Sequence, residues 1–151
     1  MIPRQLRQRV QASQRATVSG VVAIVNTNDD LVNILREALI EQGLSVVTGH
    51  IRDIKSGRLD FAEFLRAHNP TVIVYDISVP YEDNWTFFQT LKQLPDATHR
   101  EFVVTTVNRR VLQQRVGQAD VIEIQGGRAD DLDPVVDAVV KLRSNRRKKD
   151  R

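Results

Sequence analysis

The stretch TVIVYDISVP, residues 71–80, contains the strongest strand signal in the chain and includes an acidic side chain. Residues 72–75 are apolar or aromatic without interruption, as in a parallel strand that is buried on both faces. Asp76 follows at once, and Pro80 comes four residues after it. The sequence therefore predicts a carboxylate at the carboxyl end of a buried strand.

Predicted strands and helices alternate on both sides of this stretch. The other predicted strands are residues 18–25, 44–47, 102–106 and 121–124. Apolar residues spaced three or four apart predict five helices, whose apolar faces include Leu31 to Leu39, Phe61 to Leu65, Trp85 to Leu91, residues 109–116 and Leu132 to Val140. Asp60 is the expected N-cap of the second helix, and Gly43 is expected at the end of the first. This alternation favours an α/β fold with a parallel sheet covered by helices on both faces.

Length and composition narrow the class of protein. At 151 residues the chain has the length of one domain, and it contains no cysteine for disulfides, a thiolate nucleophile or cysteine-ligated zinc. No apolar run reaches the ~18 residues that a membrane span needs, and the first residues lack the apolar core of a signal peptide. We therefore expect a cytoplasmic protein with no membrane segment.

Positive charge is concentrated at the two ends of the chain. Residues 1–20 carry a net charge of +4 and residues 141–151 a net charge of +6, whereas residues 21–140 carry −7. We divide the chain into a basic N-terminal extension (1–17), a folded domain (18–143) and a basic C-terminal tail (144–151). Any contact with nucleic acid is expected to come from the two ends, because the domain between them is acidic.

The sequence around Asp76 resembles a response-regulator receiver domain, the phosphoacceptor module of two-component signalling. The similarity covers about residues 21–143 and rests on the order of elements, on Asp76 with Pro80 four residues later, and on Thr106 thirty residues later. The turn Tyr81 to Asn84 also matches, although the family usually has glycine where Asn84 stands. The resemblance implies a flavodoxin-like, doubly wound sheet of five parallel strands in the order 2-1-3-4-5. It also implies that Asp76 occupies the phosphoacceptor position and Thr106 a switch position.

The chain departs from the family at the metal site. Receiver domains place an acidic pair after the first strand, where carboxylates help to hold Mg²⁺. The matching residues here are Asn26 and Thr27, which cannot ionise. Asp29 and Asp30 follow closely, but we expect them to stabilise the start of a helix rather than to bind a metal ion.

The chain departs from the family again at the fifth strand. The family's lysine position falls on Gln125, which can donate a hydrogen bond but carries no charge. The family's aromatic switch position falls on Ile122, which has no polar ring to swing inward. We therefore predict a degenerate receiver, or pseudo-receiver, that has no enzymatic activity, needs no cofactor and binds Mg²⁺ weakly or not at all.

Three functions stay open. The favoured hypothesis is a protein interaction module, whose partner is a signalling kinase, an output protein or a second copy. The resemblance implies that its contact surface comprises the helix at residues 109–116, the fifth strand and the last helix. The second is a phospho-switch modified at Asp76, with Asp29 or Asp30 holding Mg²⁺. The third is binding of nucleic acid or an acidic partner by the basic ends.

Two features also have a purely structural interpretation. An aspartate at the end of a buried strand often accepts internal hydrogen bonds from loop amides, so Asp76 need not be a modification site. The segment Gln125 to Arg128 contains two glycines, and it fits either a small anion-binding nest or an ordinary turn.

Overall fold

The computed structural model describes residues 20–149, with side chains described as far as residue 145. Its centre is a sheet of five parallel strands in the order β2-β1-β3-β4-β5. The strands are β1 (Val21–Asn26), β2 (Ser45–His50), β3 (Val72–Asp76), β4 (Glu101–Thr106) and β5 (Ile122–Glu123). This order confirms the predicted doubly wound α/β fold.

Six α-helices in residues 20–149 cover the two faces of the sheet. They are α1 (Asp29–Glu41), α2 (Ile51–Ser56), α3 (Phe61–His68), α4 (Tyr81–Lys92), α5 (Arg109–Val116) and α6 (Asp133–Lys149), and short 3₁₀ turns occur at Pro95–Ala97 and Ala129–Leu132. One apolar core lies under α2 to α5, and a second lies under α1 and α6. Alternate strand residues supply the two cores, as Ile73 and Val74 do, because successive side chains of a strand point to opposite faces.

The predicted helix caps are in place. The Asp60 side chain accepts a hydrogen bond from the Glu63 amide at the start of α3. Gly43 follows α1 with a φ of +83°, a conformation that residues with a side chain rarely adopt. Pro134 lies in the first turn of α6, where its missing N–H removes no helical hydrogen bond.

Helix α2 is absent from the sequence prediction, which stopped the second strand at residue 47. It has only six residues, and its buried side chains, Ile51 and Ile54, form too short an apolar pattern to recognise. His50 caps this helix by accepting a hydrogen bond from the Arg52 amide. The strand continues to His50 through Gly49, against which Leu59 packs closely.

The last helix extends beyond its predicted end, and the predicted start of the domain lies outside the described residues. Strand β1 begins at Val21, whereas residues 18 and 19 of the predicted strand, and the predicted extension 1–17, lie outside the described residues. Helix α6 continues to Lys149 through most of the predicted tail. The reason is that residues 135–149 contain no glycine or proline, and lysine and arginine are favourable at a helix C-terminus. No helix in residues 20–149 is long and apolar enough to cross a membrane.

Phe88 is expected to be a main determinant of stability. It is 1% exposed, and its ring centroid lies 4.8 Å from that of Tyr75 and 5.5 Å from that of Phe102. Phe88→Ala is expected to lower the free energy of unfolding by about 3–5 kcal/mol, because it leaves a cavity in the core. Urea unfolding measures the loss. Phe87→Ala is the matched control on the same helix, and equal losses at the two positions would contradict this assignment, because Phe87 is only partly buried.

Candidate functional site at the carboxyl ends of the strands

Asp76 is the last residue of β3, and its side chain is enclosed at the carboxyl edge of the sheet. It is 7% exposed, and its Oδ1 accepts a hydrogen bond of 2.7 Å from the Thr105 hydroxyl. The two residues are direct partners in the pairing of β3 with β4. The expected internal hydrogen bond is therefore present, although its donor is a neighbouring strand's hydroxyl and not a loop amide.

Burial controls the ionisation of Asp76 and Tyr75 at this edge of the sheet. It raises the pKa of Asp76 from 3.8 to about 6, and the hydrogen bond from Thr105 acts in the opposite direction. Burial also raises the pKa of the preceding Tyr75 hydroxyl, and the charge of Asp76 adds to that effect. The loss of hydration at Asp76 therefore outweighs the stabilising hydrogen bond.

Thr106 lies beside this contact but does not take part in it. Its hydroxyl is fully buried and donates to the Ile77 carbonyl at 2.8 Å. Adjacent side chains of a strand point to opposite faces, so Thr105 and Thr106 cannot both face Asp76. The switch role of Thr106 remains a prediction, whereas the contact with the carboxylate belongs to Thr105.

The residues at the acidic-pair positions form hydrogen bonds within their own loop. The Asn26 side-chain oxygen accepts hydrogen bonds from the amides of Thr27 at 2.6 Å and Asn28 at 3.0 Å. Asn28 is the N-cap of α1, through a 3.1 Å hydrogen bond from the Leu31 amide. Asp29 and Asp30 lie exposed in the first turn, where negative charge is favourable. The cap is therefore Asn28, and the two acids add only their charge.

These residues do not fit the magnesium site that the resemblance implies. Mg²⁺ prefers six oxygen ligands in octahedral geometry, with carboxylates prominent among the protein ligands. Here the Asn26 oxygen already accepts two amide hydrogen bonds. Residues 20–149 also contain no group of three or more histidine, cysteine, aspartate or glutamate side chains that could hold a metal ion.

The residues at the fifth-strand positions are also engaged elsewhere. The Gln125 side chain is exposed and donates to the Glu123 carboxylate at 3.2 Å. The other oxygen of Glu123 accepts the Arg109 amide at the start of α5. Ile122 is partly buried and packs into the core under α1 and α6. None of these contacts directs a cation toward the buried carboxylate.

The turn before α6 is an ordinary capped turn. The Asp131 carboxylate accepts a hydrogen bond of 3.0 Å from the Arg128 amide. The same carboxylate fills the space beside Gly126, where a Cβ atom would collide with it. An acidic group thus occupies the position that the anion-binding interpretation would assign to a ligand.

A polar link that the sequence analysis missed holds the loop after Asp76. The Lys55 ammonium of α2 donates to the Asn84 side-chain oxygen, and the Asn84 amide donates to the Ser78 carbonyl at 2.7 Å. Asn84 is buried, and Lys55 lies 5.5 Å from the centroid of the Phe87 ring. Asn84 stands where the family usually has glycine. This difference is the one sequence feature that could have indicated the link. Its partner lies on the helix that the sequence did not predict.

Asp76→Asn is expected to stabilise the protein at neutral pH. The folded chain holds a proton that the unfolded chain releases between pH 3.8 and about 6, so stability falls as pH rises through this window. Removing the charge is expected to recover up to about 3 kcal/mol above this window and little below it. Urea unfolding at pH values on either side of the window measures the difference. A variant less stable than the wild type at neutral pH would overturn the assignment.

Thr105→Val is expected to raise the pKa of Asp76 further, because it removes the hydroxyl that stabilises the charged carboxylate. The titration can be followed by the carboxyl carbon signal in NMR spectra. Thr106→Val is the control, since this adjacent buried hydroxyl donates to Ile77 instead. If both variants move the titration equally, the hydrogen bond from Thr105 has no special effect.

Solved structures of response regulators share this architecture. A transiently phosphorylated switch in bacterial signal transduction superposes with a TM-score of 0.58 at 20% identity, over 84% of this chain and 96% of that one. Chemotaxis protein CheY4 of Vibrio cholerae gives 0.55 at 14% identity, over 80% and 98% of the two chains. The N-terminal domain of the nisin resistance regulator NsrR, a lantibiotic response regulator, gives 0.52 at 20% identity, over 80% and 97%. No protein-family model matches the chain, and no curated protein is significantly similar in sequence. The chain has the fold of response-regulator receiver domains.

Proposed function

We propose that this chain is a pseudo-receiver, a signalling module that binds a protein partner without Mg²⁺-dependent phosphorylation of Asp76. The observation that carries the proposal is the state of Asn26. Val25 pairs with Tyr75, so Asn26 is level with Asp76 on the neighbouring strand. The side chain in this key position is neutral, and its oxygen is bound to its own loop.

Electrostatics supports the proposal. A phosphoryl donor is anionic, so its approach to a carboxylate requires positive charge to offset the repulsion. The family's two sources of positive charge are Mg²⁺ and a lysine on the fifth strand. In this chain an amide replaces the lysine and hydrogen-bonds to Glu123. Lys55, on α2, donates to Asn84 instead.

The accessibility of the acceptor supports it as well. The Asp76 side chain is buried, and one of its oxygens is bound by Thr105. A nucleophilic carboxylate has to expose an oxygen toward the donor, in line with the bond that breaks. Burial and the hydrogen bond from Thr105 leave little of this carboxylate open to a donor.

We expect the partner to be a signalling kinase, an output protein or a second copy of this chain in the cytoplasm. The expected contact surface comprises α5, β5 and α6. Val107, just before α5, is 58% exposed and supplies an apolar side chain beside this surface. Interfaces of this kind use exposed apolar side chains at their centre and polar groups at their rim.

Incubation with acetyl phosphate and Mg²⁺, followed by intact-mass measurement, tests the proposal. We expect no addition of a phosphoryl group to the wild type. The matched variant Asn26→Asp/Thr27→Asp/Gln125→Lys restores the acidic pair and the lysine, and we expect it to bind Mg²⁺ and to become phosphorylated. A stable phosphoryl adduct on the wild type that Asp76→Asn abolishes would establish the phospho-switch instead.

A further inference from the structure

A groove runs along the outer edge of β4 at the amino end of the sheet. Strand β5 pairs only with Thr105 and Thr106, so residues 101–104 have no strand on their outer side in the described part of the chain. A cavity of about 370 Å³ opens there, and we call it the edge groove. The residues that matter for its chemistry are Glu101, Phe102, Asp120, Ile122, Leu142 and Asn145.

The backbone of Phe102 faces the edge groove. The Glu101 amide donates to the Thr71 carbonyl, and the Ile77 amide donates to the Thr105 carbonyl. The backbone groups of the odd-numbered residues of β4 therefore form hydrogen bonds on the β3 side. Because bonding directions alternate along a strand, the peptide groups of Phe102 point outward. An outward-facing strand edge next to apolar side chains can bind another segment of chain.

The chain enters β1 close to this groove. A Cβ atom on Gly20 would lie 3.2 Å from both the Arg143 guanidinium and the Thr71 hydroxyl. The Thr71 carbonyl in turn accepts the Glu101 amide at 3.0 Å, and Glu101 lines the groove. Two strand spacings of ~4.8 Å therefore separate Gly20 from β4. Arg143 also directly follows Leu142, which lines the α6 wall of the groove.

The residues before Gly20 are complementary to the groove in charge and in apolar content. Residues 1–19 contain four arginines and no acid, with Ile2, Leu6 and Val10 at intervals of four. The groove offers the exposed acids Glu101 and Asp120 beside apolar side chains, and Lys141 is the one cation among its described lining residues. An extended chain covers ~3.3 Å per residue, so a few residues suffice to reach it.

We propose that the segment 1–19 binds in the edge groove of its own chain, with arginines beside Glu101 and Asp120 and an apolar side chain against Phe102 and Leu142. Tethering favours this occupant, because the short connection keeps the segment at a high effective concentration. The bound segment covers the open edge of β4.

Disulfide trapping tests this proposal, because the chain contains no cysteine of its own. The test pair is Gln8→Cys with Asn145→Cys, at the groove. The matched control is Gln8→Cys with Gln42→Cys, which is exposed and lies at the same end of the sheet beside β2, on the opposite side of β1. In dilute protein with a glutathione buffer, we expect the disulfide within one chain to form about tenfold faster in the test pair.

A charge reversal completes the test. Adding Asp120→Lys to the test pair is expected to slow trapping to the rate of the control pair, with the circular dichroism spectrum unchanged. Equal rates in the test and control pairs would show that the segment does not bind the groove. Disulfides that link two chains, with a yield that rises with protein concentration, would identify a second copy as the occupant and overturn the proposal. None of these outcomes depends on whether Asp76 is phosphorylated.

Discussion

The hydrogen bond from Thr105 to Asp76 joins β4 to β3 at the edge of the sheet where the candidate site lies. Two effects act on the same carboxylate there. A hydroxyl donor stabilises its charged form, and the loss of water destabilises that form more, since the net result is a pKa raised to about 6. Near neutral pH this position therefore carries a charge that is costly to keep, and the surrounding side chains have to accommodate it.

The neutral side chain at Asn26 is consistent with that constraint. Asn26 is level with Asp76 on the adjacent strand, and a carboxylate there would add like charge beside an already poorly hydrated acid. A bound divalent cation offsets such repulsion, but the described residues contain no group of three or more histidine, cysteine, aspartate or glutamate side chains that could hold one. An asparagine instead accepts two loop amides without adding charge. The neutral side chain at Asn26 and the burial of Asp76 thus belong to one arrangement.

Sequence reasoning succeeded where a long apolar pattern specified an element, and it gave no indication of a contact that depends on the pairing of two strands. The run before Asp76 and the stripe from Leu132 to Val139 predicted a central strand and the last helix, because burial requires such patterns. The resemblance assigned a switch position to Thr106, which stays a prediction, and it did not indicate the contact between Thr105 and Asp76. The register that pairs Asp76 with Thr105 depends on how β3 and β4 align. The spacing of residues along the sequence does not determine that alignment.

The same limit explains the missed link from Lys55 to Asn84. A six-residue helix contributes two buried side chains, too few to establish a period, and the partner lies 29 positions away in the sequence. Once α2 is in place, its lysine reaches Asn84 and thereby the loop after Asp76. This link therefore connects a positive charge on a short helix to the loop after Asp76.

The candidate site and the edge groove share β4 but lie at opposite ends of it. Communication between them would need an element with two discrete arrangements. Strand β4 is paired in register with β3 from Glu101 to Thr105, and its residues Val103 and Val104 are buried in the two cores. A strand fixed in this way has little freedom to shift. Occupancy of the groove is therefore expected to leave the geometry at Asp76 unchanged.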